Sequence, residues 1–150
     1  MNDIEQLMQK IKELIESSPI DTNKTPVYLE VPENPHELQH ILIESGDLIP
    51  NAEGGRRLDN RTFHRGFIFF IRLIQPAGQS IAEFNSYIKD RHQITCDLFD
   101  LFQSETAGNI EGTTDLIINS VKSVFGQNPF TLDNFNMIDF NITIFKLKEF

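Results

Sequence analysis

The run Arg-Thr-Phe-His-Arg-Gly-Phe-Ile-Phe-Phe-Ile-Arg-Leu-Ile at residues 61–74 constrains the fold more than any other stretch of the chain. Extended, it places Phe63, Phe67, Phe69, Ile71 and Leu73 on one face and Ile68, Phe70 and Ile74 on the other. Aromatic and β-branched side chains suit a pleated surface, and apolar groups on both faces imply cover on both sides. Gly66 within the run and Gln75-Pro76 at its close argue against a helix. The run predicts the central strand of a sheet, with helices on at least one face.

Two helices are expected around it. Over residues 3–17, Ile4, Leu7, Met8, Ile11, Leu14 and Ile15 form one stripe, Asn2 caps, and Ser17-Ser18-Pro19 ends the element. Over residues 80–104, Ser80 and Glu83 make a capping box, and Ile81, Phe84, Ile88, Ile94, Leu98, Leu101 and Phe102 form a near-continuous apolar stripe. At about 1.5 Å per residue that helix is long enough to lie across a small sheet. Cys96 within it is expected to be packed and inert, with His92 a partly exposed neighbour.

The other strands are shorter or less regular. Residues 27–31 predict a short edge strand, since Pro26 and Pro32 flank it. Residues 117–125 alternate loosely, Ile117, Val121 and Phe125 against Ile118 and Val124, and residues 135–150 alternate well around Ile138, Phe140, Ile142 and Ile144. Residues 35–50 read two ways. Asn34, Pro35, Glu37 and Gly46 make a helix signature, while residues 39–43 read as a strand able to form a wide hairpin with the Phe-rich strand. A mobile loop is expected at about 47–61, where Gly54-Gly55-Arg56-Arg57 and Arg61 lack any core pattern. The sum is an α+β fold: a mainly antiparallel sheet of four to five strands, packed by an N-terminal helix and one long central helix, in a single domain over residues 1–150.

Composition narrows the function classes. A chain of 150 residues with 39% hydrophobic content and 13 Phe can bury a bulky core and is not a disordered segment. A net charge of -9 opposes wrapping nucleic acid through its phosphates but suits a surface past which DNA moves without adhering. The single Cys96 excludes an internal disulfide. No apolar run reaches membrane-spanning length, and the charged N-terminus does not read as a signal peptide, so the expected compartment is cytoplasmic.

One string carries possible chemistry: His36-Glu37-Leu38-Gln39-His40 is a literal H-E-x-x-H. On a helix the two His share a face and grip zinc, with Glu37 as the base for a bound water. Pro35 places the string in an opening turn, and no third ligand follows at a recognisable spacing, His64, Glu44 and Glu53 being the candidates. On a strand the two His would stand roughly 13 Å apart, too far to share a metal. A zinc-dependent hydrolase is therefore the alternative reading, with His36, Glu37 and His40 as its site. Among the Phe residues, Phe130, Phe135 and Phe150 are candidates for a subunit interface.

The order helix, short strand, strand, long loop, central strand, long helix, strand, strand resembles that of the tail-terminator (tail-completion) proteins of long-tailed bacteriophages, the lambda-type family. Three stretches carry the resemblance: residues 67–77 running into residues 80–84, residues 114–121, and the closing alternation of residues 137–145. The family has no sharp signature, and residues 27–35 and the Gly-Gly-Arg-Arg loop depart from it. The resemblance implies a non-enzymatic virion protein without cofactors, found in the tail or neck and in host cytoplasm during assembly. It implies a ring, usually a hexamer, that caps the tail tube and meets the tube protein, the head-tail connector and DNA passing through the lumen. Another head-tail neck or adaptor protein of similar layout is a further alternative. Arg56, Arg57 and Arg61 are expected to reach an acidic neighbour or tube subunit.

Overall fold

The N–H of Glu5 donates to the side chain of Asn2 at 2.8 Å and opens α1 (Asp3–Glu16), and Leu7, Ile11 and Ile15 bury one stripe of it. A computed structural model of the chain describes residues 2–35, 37–50, 62–104, 110, 113–127 and 134–149. The chain continues through β1 (Val27–Tyr28), β2 (His40–Ile49), β3 (Thr62–Pro76), α2 (Ile81–Gln103), β4 (Thr113–Gln127) and β5 (Asn134–Glu149). The expected α+β class holds: the described residues form two helices and one five-stranded sheet, antiparallel except where β1 joins β2. Of the loop expected at about 47–61, residues 47–49 are instead the end of β2, where they continue the pairing with β3, and residues 51–61 lie outside the described residues.

Strand order is β1-β2-β3-β5-β4, which places the Phe-rich strand at the centre. The ambiguous segment resolves as strand. Its apolar run pairs antiparallel with β3, Ile41 opposite Leu73 and Ile43 opposite Ile71, and that burial outweighs the helix signature. Gly46 is therefore no helix stop. It sits in the bulge of β2 between Ser45 and Leu48, where a Cβ would lie 2.7 Å from the Phe70 ring.

β4 carries two bulges, between Thr113 and Asp115 and between Ile118 and Ser120. Leu116, Ile118 and Val121 consequently all pack against the core, while Ile117 and Val124 are exposed. This corrects the sequence grouping of Ile117 with Val121: one extra residue flips the phase of a period-two pattern.

Both helices pack on one face of the sheet. The core joins Leu7, Ile11 and Ile15 of α1 and Ile94, Leu98 and Phe102 of α2 to Phe67, Phe69, Ile71, Phe140 and Ile142. Phe99 and Phe102 set their rings against Phe140 with centroids 5.8 and 6.3 Å apart. Lys146 ties to Asp3 at 3.2 Å, so the start of α1 is held near the last strand.

A buried polar knot fixes where α2 crosses. The Gln75 side-chain amide donates to Gln39 Oε1 at 2.7 Å and to the Tyr87 carbonyl at 2.8 Å, and its own oxygen accepts from Arg91 Nε at 2.9 Å. Gln39 in turn donates to Thr25 Oγ1 at 2.7 Å. One glutamine thus joins the ends of β2 and β3 to the helix, and a satisfied network of this kind selects a single packing arrangement. Burial lowers the Arg91 pKa, yet a guanidinium stays charged under any condition the fold survives.

Candidate interaction surface

The second face of the sheet has no helix on it among the described residues, which corrects the expectation that β3 is covered on both sides. Ile74 and Leu42 are buried there, but Ile68 and Phe70 are only half-buried. Charge is mixed in with these groups. Arg72 donates from Nη1 to Glu44 Oε2 at 2.9 Å, lies over the Phe70 ring at 4.9 Å, and forms an ion pair with Asp139 at 3.5 Å, too long for a good hydrogen bond. On the same face Asn119 donates to Asn141 Oδ1 at 3.1 Å and to Thr143 Oγ1 at 2.6 Å. Such a face tolerates water or a polar neighbour where a dry core would not.

The stripe on α2 is covered over only part of its length. Ile94, Leu98 and Phe102 are buried, whereas residues 81–86 are all exposed, with Ile81 at 81% and Phe84 at 46%. The first turns of the helix therefore project past their own sheet. Phe125, 69% exposed, shares a row of the sheet with Gln75, so it lies at the same end of the molecule as the start of α2. Beside it, Phe135 is half-buried and packs over Gly126, where a Cβ would fall 2.5 Å from the ring. That end carries more uncovered apolar surface than any core function explains.

The sequence candidates fall as follows. Arg56, Arg57, Arg61, Phe130, Phe150, Glu53 and His36 lie outside the described residues, and nothing is described of the His64 side chain. Glu37 is exposed in a turn, and His40 is fully buried in β2, with Nδ1 2.7 Å from the Leu38 carbonyl and its ring edge-on to Tyr28. Residues 37–40 of the H-E-x-x-H string therefore run from a turn into a strand start rather than along one helical face, because the apolar residues that follow pair with β3. Glu44, a suggested third ligand, is held by Arg72. Among the described residues no three His, Cys, Asp or Glu side chains converge as a metal site. Cys96 is exposed, not packed, since it lies off the buried stripe of α2.

No protein-family model matches this chain, and no relative is found among curated proteins.

Sequence reasoning missed the exposed start of α2, the ion-paired row around Arg72 and the open strand β4. A stripe longer than the sheet beneath it was the signal for the first. For the second it was Arg72, a cation alternating into an apolar strand.

Proposed function

We propose that this chain is a structural virion protein, a subunit of a ring that caps a bacteriophage tail tube and joins the tail to the head connector. The observation that carries the reading is the mismatch between apolar surface and cover at one end of the molecule: Ile81, Phe84 and Phe125 are exposed although the sequence places two of them in the same stripe as the core. An apolar patch of this kind marks a contact surface. The element order resembles that of tail terminators and supports the same role.

On this reading the partners are further copies of the chain, six by resemblance, the tail tube protein and the connector. The net charge of -9 lets DNA pass the ring without adhering. The protein works in the virion neck and is made in host cytoplasm, with no cofactor required. None of its helices among the described residues is long and apolar enough to cross a membrane.

Negative-stain imaging of the purified protein mixed with tail tubes tests the role. Rings seated on tube ends are expected, and Phe84→Ser is expected to reduce their number. Tubes with bare ends at high protein concentration contradict it.

A further inference from the structure

We propose that a second copy of this chain pairs its β2 strand with the open edge of β4, so that the sheet of one subunit runs on into the next. The proposal deepens the ring reading and rests on it.

β4 is the outermost strand on its side of the sheet, bonded only to β5 among the described residues. Alternate residues of an antiparallel strand turn their N–H and C=O groups away from the partner, so between residues 115 and 126 about six present outward a ladder that no described strand pairs. Long edges of this kind bind further strands unless they are blunted. β4 contains no proline, and its two bulges lie at residues 113–115 and 118–120, leaving residues 121–127 regular.

The opposite edge offers the matching strand. β1 covers β2 at only two positions, Val27 against Ile41 and Tyr28 against Leu42, which leaves residues 43–49 without a paired strand on that side among the described residues. At about 3.4 Å per residue that is roughly 24 Å of chain, with the bulge between Ser45 and Leu48 inside it. Direction fits as well. β2, β3, β5 and β4 alternate in sense, so β4 runs opposite to β2. A rotation axis lying along the strands preserves each direction, and β4 of one copy then meets β2 of the next antiparallel.

Charge chooses this pairing over β4 against β4. Lys122 is the one charged side chain on β4 between Leu116 and Gln127, and it is exposed with no ion-pair partner among the described residues. A β4–β4 contact over residues 117–126 would offer this cation no acidic partner. Residues 43–49 carry Glu44 and Asp47, and Asp47 is exposed without an ion-pair partner among the described residues. The contact is therefore heterologous, the kind that closes rings.

The test uses the full chain, as wild type, Lys122→Glu, Asp47→Lys and the double variant. Sedimentation velocity gives the concentration of half-assembly, and amide exchange is read by mass spectrometry on the wild type below and above it. Each single reversal is expected to raise that concentration about tenfold or more, and the double variant to recover most of the loss. The outward-facing amides among residues 121–126 are expected to gain protection on assembly. Both side chains are exposed, so unchanged melting temperatures are expected to exclude misfolding. Three results overturn the proposal. Wild-type assembly with unprotected β4 amides and indifferent charge variants leaves the ring reading standing and removes the edge contact. A species stopping at two copies, sensitive to Lys122→Glu but not to Asp47→Lys, replaces it with a β4–β4 dimer. A wild type that never assembles removes the ring reading as well.

Discussion

The helix-covered face of the sheet is filled by Phe67, Phe69, Ile71, Phe140 and Ile142, all buried. The opposite face, carried by the same strands, alternates Ile68 and Phe70 with Arg72 and its two carboxylates. Strand propensity is the same for both faces, since one backbone serves them. What differs is cover. Where helices exclude water, the sheet positions are apolar or joined in the Gln75 network; where they do not, an arginine serves one close and one long ion pair. The difference sets how much each side chain contributes to stability and how much is left for binding.

Substitutions on the two faces sharpen the comparison. Phe140→Ala opens a cavity under Phe99 and Phe102 and is expected to cost about 3–5 kcal/mol, read by chemical denaturation. Gln75→Leu strands Arg91, the Tyr87 carbonyl and Gln39 Oε1, at an expected cost of about 1–3 kcal/mol. Arg72→Met, on the open face, is expected to cost about 1 kcal/mol, with a loss that shrinks at high salt because its partners are partly exposed. Phe84→Ser is expected to change monomer stability by no more than about 0.5 kcal/mol, since Phe84 contributes little to the core. If Arg72→Met proved as costly as Phe140→Ala, the second face would be as dry as the first and the contrast would fail.

Much of this architecture was legible in residue order. The Phe-rich run announced β3, and Asn2 and Ser80 marked the starts of α1 and α2, because caps and periodicity are local signals. Residues 35–50 were not decided locally: Asn34-Pro35 and Gly46 speak for a helix, and only pairing with β3 fixes β2. Likewise the phase of β4 depends on a bulge that no period-two pattern reveals. The interaction surface was the least legible part, since Ile81 and Phe84 match core residues in type and spacing and differ only in what lies beneath them. The Gln75 knot was equally hidden, its five members coming from four separate segments.

The claim beneath the account is that this sheet and its half-covered helix are built to join other copies. Native mass spectrometry of the purified chain over rising concentration addresses that directly. The account predicts a switch from monomer to one closed species of fixed copy number, weakened by Phe84→Ser. A chain that remains a single copy throughout, with Phe84→Ser indistinguishable from wild type, contradicts it.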